Sequence, residues 1–258
     1  MKITLITGGS SGLGFELARC YAKDKNNILL VSKNEERLNK AKSKLEEEFK
    51  DILVDIYPLD LTNIDAFPKL LEYTKSKNYF VNNLSNCAGF GDQCDFKDMD
   101  IAKQIQMTNV NCNALLYFTR VYLDDMLKNN EGHIINACSI AGFLPGPYMS
   151  TYHATKGYVL LLGEAIAHEI RKTNVKLLTL CPGPFESNFV ALAHNDYTFK
   201  KIKPISAEAV AKFGYNKSIK AKTLAIVGFK NRLTIFITRF FSRKFVTKSS
   251  SNSTKKNG

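Results

Sequence analysis

The chain lacks the features that mark several classes of protein. None of its apolar runs reaches the ~18 residues that a membrane-spanning helix needs. The six cysteines are scattered without a C-x-x-C pair, and the four histidines show no ligand-like spacing. We therefore expect free thiols, a reducing cytoplasmic location and no metal site. A strand predicted to begin at Lys2 leaves no room for a signal peptide.

A glycine-rich turn follows the first predicted strand. Residues 2–7 are apolar and rich in β-branched side chains, and residues 8–14 read G-G-S-S-G-L-G before a helical pattern. Glycine lets the backbone approach a pyrophosphate closely, and a helix N-terminus presents free N–H groups. This order of strand, turn and helix indicates a dinucleotide site, with a tight turn that binds nothing as the alternative.

A tyrosine and a lysine lie four residues apart in the segment Tyr152-His153-Ala154-Thr155-Lys156, thirteen residues after Ser139. This spacing places both side chains on one face of a helix. An ammonium group favours a neighbouring phenolate, so we expect Lys156 to lower the pKa of Tyr152 from its ordinary value of about 10. The pair then suits acid–base catalysis. A chance pair on a surface helix is the alternative.

Together these motifs resemble the short-chain dehydrogenases/reductases. The glycines at 8, 12 and 14 are similar to the family's T-G-x-x-x-G-x-G fingerprint, and P-G at 182–183 is similar to its turn after the sixth strand. The segment N-C-A-G at 86–89 departs at Cys87 from the family's N-N-A-G. The resemblance runs from residue 2 to about residue 230. It implies the catalytic residues Asn111, Ser139, Tyr152 and Lys156.

The resemblance also implies a reaction, in which a hydride passes between NADP(H) and a carbonyl or secondary alcohol. Tyr152 would donate a proton to the carbonyl oxygen, and Ser139 would donate a hydrogen bond to it. Lys156 would hold the nicotinamide ribose, and Asn111 would support a water in the proton relay. The predicted pocket walls favour an apolar, lipid-like small molecule, since they include Phe143, Leu144, Tyr148, Phe185, Phe189, Val190 and Leu192.

The end of the second predicted strand indicates which cofactor is preferred. An acidic residue there would bind the adenosine ribose and repel a 2′-phosphate, but the chain has Ser32-Lys33-Asn34, with Arg37 one helical turn further on. This resembles the NADP-preferring members, and a solvated loop lysine is the alternative. The predicted cofactor-binding residues are Gly8, Ser10, Ser11, Gly12, Leu13, Gly14, Ser32, Lys33, Asn34, Arg37, Asp60, Leu61, Asn86, Ala88, Gly89, Tyr152, Lys156, Pro182 and Gly183.

Predicted strands and helices alternate along the chain. The strands are expected at 2–7, 28–32, 52–57, 80–86, 132–138, 175–181 and 223–227, and helices at 12–24, 34–49, 63–76, 99–128, 151–172 and 206–218. Such alternation implies a parallel sheet with helices on both faces. We predict an α/β protein with one doubly wound Rossmann domain over 1–229, a seven-stranded and mostly parallel sheet, and ligands beyond the carboxyl ends of the strands.

Basic residues concentrate at the C-terminal end. From residue 199 onward, fifteen Lys and Arg stand against one acid, Glu208, whereas the first 198 residues hold 21 basic and 23 acidic residues. Helical spacing of phenylalanines predicts a basic amphipathic helix over 230–248, before a polar, disordered tail over 249–258. The helix suits a packing element, a lid, or a peripheral contact with an anionic membrane. No recognition motif supports nucleic acid as a partner.

Other functions remain open. One is an NAD-linked dehydrogenase of the same family, and another is a dinucleotide-binding regulator without turnover, against which the intact set of four catalytic residues argues. A third is a sugar-nucleotide epimerase, whose relatives share Y-x-x-x-K but usually carry G-x-x-G-x-x-G, which Ser11 breaks. The resemblance further implies a homo-oligomer, either a dimer or a tetramer.

Overall fold

A single parallel sheet organises the fold. The computed structural model describes residues 1–186 and 204–254. Seven strands pair in parallel in the order β3-β2-β1-β4-β5-β6-β7, which confirms the predicted fold class. They are β1 (Lys2–Thr7), β2 (Ile28–Ser32), β3 (Val54–Pro58), β4 (Phe80–Asn86), β5 (Gly132–Ala137), β6 (Val175–Cys181) and β7 (Leu224–Ile226).

Helices connect the strands and cover the sheet. They are α1 (Gly12–Lys23), α2 (Glu35–Glu48), α3 (Phe67–Ser76), α4 (Ile101–Thr108), α5 (Leu115–Lys128), α6 (Ser150–Glu169), α7 (Ala207–Ile219), α8 (Phe229–Thr238) and α9 (Arg243–Thr254). A π-helical turn, Asn109–Ala114, interrupts the helix that was predicted over 99–128. In the two described stretches, every helix is too short or too polar to cross a membrane.

The second strand illustrates why the strands read as continuous apolar runs. Ile28 and Leu30 belong to one core cluster, which α1, α2 and α7 complete. Leu29 and Val31 belong to the other, which α3, α5 and α6 complete. All four side chains are fully buried. Burial of each contributes about 1.5–3 kcal/mol, so a strand buried on both faces has no polar alternation.

The strand order reverses between β1 and β4, which are neighbours in the sheet. Their carboxyl ends, Thr7 and Asn86, pair with each other, and those of β5 and β6 lie along the same edge at Ala137 and Cys181. In doubly wound folds, ligands bind at this reversal. The predicted glycine turn follows β1, the 86–89 segment begins at the end of β4, Ser139 follows β5 and the 182–183 turn follows β6.

The C-terminal segment differs from the prediction of one helix over 230–248. Helix α8 ends at Thr238, and α9 begins at Arg243. The Ser242 hydroxyl, just before α9, accepts a hydrogen bond from the Phe245 N–H (3.3 Å). Residues 249–254, which were predicted to be disordered, belong to α9, and 255–258 lie outside the described residues. The Thr254 hydroxyl donates to the Pro147 carbonyl (2.7 Å), a long-range contact that composition does not reveal.

Candidate active site

The glycine turn between β1 and α1 brings the backbone close to where a ligand would lie. Gly8 and Gly12 have φ of +66° and +55°, a region that favours glycine. A Cβ on Gly8 would lie 2.9 Å from the backbone of Ala88, and one on Gly14 would lie 2.5 Å from the Gly8 oxygen. Ser11 begins α1 without a side-chain cap, so the first N–H groups of the helix can serve an anion.

The end of β2 carries positive charge beside this turn. The Ser10 hydroxyl donates to the Ser32 hydroxyl (3.1 Å), which joins the glycine turn to β2. The Asn34 side-chain oxygen accepts from the Arg37 N–H (2.8 Å) and caps α2. Asn34 is therefore partly committed to the helix. The Lys33 and Arg37 side chains are exposed, and neither pairs with a carboxylate of the described residues.

Asp60 and Leu61 lie just beyond β3 and have different structural roles. The Asp60 carboxylate accepts from the Thr62 N–H (2.9 Å) and shapes a turn, while its side chain stays exposed. Leu61 is buried in the core cluster. The Leu59 N–H donates to the Ser32 carbonyl (3.0 Å), so this loop adjoins the end of β2. The Asp60 carboxylate thus has a local role in this turn, and its predicted contact with the cofactor stays a prediction.

The segment 86–89 is anchored to the sheet. The Asn86 amide nitrogen donates to the Asn136 side-chain oxygen (2.9 Å), so this buried residue joins β4 to β5. The N–H groups of Cys87 and Ala88 both donate to the Thr7 hydroxyl (3.1 and 3.3 Å). Thr7 was not predicted as a site residue. Its position as the threonine of the T-G pair was the available signal.

Helix α6 carries the central pair. Lys156 is buried, and its ammonium donates to the carbonyl of Ala137 (2.8 Å), the last residue of β5. Its nitrogen lies 5.8 Å from the centroid of the Tyr152 ring. The Ser139 side chain lies close enough to the Tyr152 phenol to influence its pKa. The structure thus brings Ser139, Tyr152 and Lys156 together as the sequence predicted.

The pKa of Tyr152 shifts in the direction opposite to the prediction. Burial raises the pKa of the phenol above its ordinary value, and the nearby Ser139 side chain opposes this rise only in part. Burial likewise lowers the pKa of the Lys156 ammonium. The expectation that the pKa of Tyr152 falls was wrong. The loss of water around the phenol raises this pKa by more than the Ser139 side chain lowers it. The raised pKa favours the protonated phenol at neutral pH.

Asn111 lies in the π-helical turn and is almost fully buried. Its amide nitrogen donates to the Phe90 carbonyl (2.9 Å) and to the Thr155 hydroxyl (3.0 Å), and its oxygen accepts from the Phe90 N–H (3.1 Å). The Thr155 hydroxyl in turn donates to the Tyr152 carbonyl (2.8 Å). Thr155 was not predicted, although its position between Tyr152 and Lys156 signalled it. A Cβ on Gly89 would lie 3.0 Å from the Asn111 oxygen.

The 182–183 turn contacts both the serine segment and the C-terminal helices. The Ser139 hydroxyl accepts from the Ala141 N–H (3.1 Å) and lies 3.5 Å from the Pro182 carbonyl. A Cβ on Gly183 would lie 2.5 Å from the Asn231 amide nitrogen of α8. A larger residue at 183 would therefore force the Asn231 side chain to move.

The loop after Ser139, together with Phe185, forms the described part of the predicted substrate wall, and Phe185 is half-buried and packs against the core. Phe143, Leu144 and Tyr148 are half-buried, and the Leu144 carbonyl is 2.8 Å from Nδ1 of His153. Tyr148 has a φ of +67°, and its carbonyl accepts from the Cys94 N–H (3.0 Å). The predicted wall residues Phe189, Val190 and Leu192 lie outside the described residues. Within 1–186 and 204–254, His, Cys, Asp and Glu form no group of three that could hold a metal.

Three comparisons place this geometry among known proteins. A family model described as short chain dehydrogenase matches residues 2–198. An uncharacterized oxidoreductase of Staphylococcus aureus (strain USA300) is 29% identical over 210 residues, which cover 81% of this chain and 89% of that protein.

Two solved structures superpose over nearly the whole chain. A short-chain dehydrogenase from Sphingobium yanoikuyae in complex with NADPH has a TM-score of 0.83 at 21% identity, covering 93% of this chain and 94% of the other. A short chain dehydrogenase/reductase from Burkholderia phymatum in complex with NAD has a TM-score of 0.84 at 21% identity, covering 100% and 98%. At this identity, the two structures establish the fold.

Proposed function

This chain belongs to the short-chain dehydrogenase family and is an oxidoreductase, and we propose that it transfers a hydride between NADP(H) and a carbonyl or secondary alcohol. One observation carries the proposal. Ser139, Tyr152 and Lys156 meet at the carboxyl edge of the sheet, where the glycine turn also lies. A binding protein without turnover would have no need of a buried lysine held beside a half-buried tyrosine.

A dinucleotide fits the residues present at this edge. Gly8 and Gly14 let the turn fold tightly against Ala88 and on itself, where a Cβ would clash with backbone, and α1 presents its N-terminus without a side-chain cap. When bound, the cofactor supplies the hydride donor or acceptor. We propose that residues 8–14 hold the pyrophosphate and that Lys156 and the 182–183 turn hold the nicotinamide end. Ala88 and Gly89 would line the space between them.

We propose NADP(H) as the preferred cofactor. Support comes from Lys33 and Arg37, which are exposed near the end of β2, and from the absence of an acid at positions 32–34, although Glu35 and Glu36 follow in the first turn of α2. The fold does not decide this choice, since the similar solved structures include one with NADPH and one with NAD. An NAD-linked dehydrogenase is the second candidate. Its support is Ser32, which could hydrogen-bond a ribose hydroxyl.

The chain's own residues suggest how the proton is managed. In reduction, Tyr152 would donate its phenolic proton to the substrate oxygen, and its raised pKa keeps that proton available at neutral pH. Ser139 would donate a hydrogen bond to the same oxygen as negative charge develops. The positive charge of Lys156 would then stabilise the tyrosinate that remains. Asn111 would fix the position of α6 relative to Phe90 beside these catalytic residues.

We propose an apolar substrate and a homo-oligomeric, cytoplasmic enzyme. Phe143, Leu144 and Tyr148 support the first, because their half-buried apolar surfaces border Ser139. Exposed apolar side chains on α4, α5 and α6 support the homo-oligomer. Helix α4 packs against α6, and the exposed side chains of this region could meet their copies across a two-fold axis. They are Ile101, Ile105, Leu116, Tyr158 and Leu161.

A panel of carbonyl compounds tests the proposed reaction. We expect NADPH consumption with apolar ketones or aldehydes that requires Tyr152, and NADPH binding that does not. Cofactor binding without turnover on any carbonyl or alcohol would instead favour a dinucleotide-binding regulator that catalyses no reaction. A preference for NADH in both binding and turnover would favour the second candidate.

A further inference from the structure

Helices α8 and α9 expose an unusual amount of aromatic surface. Phe229 and Phe240 are 76% and 74% exposed, although phenylalanine is ordinarily a core residue. The exposed set, called the aromatic face below, consists of Phe229, Leu233, Phe236, Ile237, Phe240, Phe241 and Phe245. Exposed apolar side chains in this number on two successive helices indicate an interaction site.

The aromatic face is exposed although its helices are anchored. Ile235 and Val246 are buried, so each helix has an inner side packed on the domain. The Asn231 amide donates to the Val227 carbonyl (2.7 Å), and the Thr254 hydroxyl donates to the Pro147 carbonyl (2.7 Å). Contacts near the start of α8 and at the end of α9 therefore hold the outer side away from the core.

The phenylalanines of this face contact one another. The rings of Phe236 and Phe240 are 5.4 Å apart in an edge-to-face arrangement, and those of Phe241 and Phe245 are stacked at 4.7 Å. These pairs stabilise the two helices while leaving their rings exposed. A shallow groove of about 320 Å³ runs along α8, and Arg232 and Arg239 stand among its apolar lining.

The charge around the aromatic face has one sign. The basic side chains on the two helices and at their ends are all exposed: Lys230, Arg232, Arg239, Arg243, Lys244 and Lys248. The sequence has no Asp or Glu after Glu208. Within the described part of the chain, none of these six cations pairs with a carboxylate. The face therefore offers apolar rings and unneutralised cations together.

We propose that the aromatic face binds the surface of an anionic phospholipid bilayer. Phenylalanine, leucine and isoleucine side chains enter the boundary between headgroups and acyl chains, while the surrounding cations meet the anionic headgroups. This inference concerns attachment to a membrane and stands independently of the reaction proposed above. The start of α8 lies beside the 182–183 turn, and the end of α9 contacts the loop at Pro147, so the two helices adjoin the candidate active site. A lipid-soluble substrate would then be delivered beside the site.

Two other occupants fit less well. A second copy of the chain, related by a two-fold axis, would bring these six cations against the same six, so repulsion would oppose the dimer. Single-stranded nucleic acid stacks on aromatic rings beside cations, but Leu233 and Ile237 add aliphatic surface for which bases and phosphates have no counterpart. An anionic bilayer offers an apolar boundary for the rings and negative headgroups for the cations.

A single tryptophan reports this binding, because the chain has none of its own. The probe is Phe240→Trp in the full chain, titrated at low salt with vesicles of phosphatidylcholine alone or mixed with phosphatidylserine. We expect its emission to shift to the blue with the mixed vesicles and the shift to weaken as salt is added. The matched control is Ile64→Trp, an exposed position after β3, which lies at the opposite edge of the sheet from β7, and its emission should not respond.

Charge reversal separates the membrane from other causes. In the Phe240→Trp background, Arg239→Glu with Arg243→Glu should weaken vesicle binding by at least about tenfold. Lys44→Glu with Lys69→Glu changes the net charge equally on exposed lysines outside the two helices and should leave binding nearly unchanged. Both double variants should unfold at the temperature of the parent.

Three results would overturn the proposal. One is emission from Phe240→Trp that does not change with either kind of vesicle at low salt. Another is a blue shift without vesicles that grows with protein concentration, which would assign the face to a second copy. The third is a response to polyuridylate that vesicles do not produce, which would assign it to nucleic acid.

Discussion

The Asn111 amide nitrogen donates a 3.0 Å hydrogen bond to the hydroxyl of Thr155, the residue before Lys156. This bond joins the π-helical turn to α6 across a sequence separation of 44 residues. The same side chain holds both backbone groups of Phe90. Every polar atom of the Asn111 side chain is thus engaged, and its first role in the chain is to position α6 and the residue-90 loop.

Removing this side chain should cost stability as well as activity. We expect Asn111→Ala to lower the free energy of unfolding by about 1–3 kcal/mol, because buried hydrogen-bonding groups lose their partner. Asn113→Ala, in the same turn, is the control, since Asn113 is exposed and bonds to the Asn109 side chain. Urea unfolding of both variants measures the difference. Equal stability of the two would contradict the positioning role.

The pH dependence of the two reaction directions should differ. Burial raises the pKa of Tyr152, so the phenol keeps its proton through neutral pH. Reduction uses the protonated form, so its rate should stay flat between about pH 6 and 9, while oxidation uses the deprotonated form and should rise about tenfold per pH unit. Initial rates with saturating substrates check this. A reduction rate that falls steadily above neutral pH would show that the pKa is lowered instead.

Cofactor preference should reverse at Lys33. We expect Lys33→Asp to weaken NADPH binding by at least about tenfold and to strengthen NADH binding relative to it, because a carboxylate repels the 2′-phosphate and accepts from the ribose. Titration by nicotinamide fluorescence measures both affinities. Lys44→Asp changes charge equally on the exposed side of α2 and serves as the control. Equal NADPH affinity in the two variants would mean that Lys33 is only solvated.

A charge on α6 should dissociate the proposed oligomer. Leu161 is 69% exposed on this helix, and Leu161→Asp would place carboxylates in an apolar two-fold contact. We expect the variant to become monomeric in light-scattering measurements of molar mass. Ile64→Asp is the control, because Ile64 is also exposed but lies before α3. A wild-type protein that is already monomeric would remove the basis for this prediction.

The sequence predicted the elements that depend on local patterns. The seven strands and the Tyr152–Lys156 pair were foreseen, because continuous apolar runs and a spacing of four residues are local signals. The break between α8 and α9 and the helical state of 249–254 were not, since they depend on the Ser242 cap and on the contact of Thr254 with Pro147.

The electrostatics of the site also escaped prediction. The expected fall in the pKa of Tyr152 counted the charge of Lys156 but not the loss of water around the phenol, which requires the packed structure. Likewise, Asn34 was predicted to contact the cofactor on its polarity alone, whereas the fold uses its oxygen to cap α2. Sequence identified the groups present, and packing decided their protonation and partners.

Replacement of one hydroxyl tests the central claim most directly. Tyr152→Phe keeps the ring on α6 and removes only the group that would carry the proton. In a single-turnover assay with saturating NADPH and an apolar ketone that the wild-type protein reduces, we expect hydride transfer to slow by about 10²–10⁴-fold, with NADPH affinity within about threefold of wild type. Hydride transfer within about tenfold of the wild-type rate, roughly 1.4 kcal/mol of barrier, would contradict the role of Tyr152 and the function built on it.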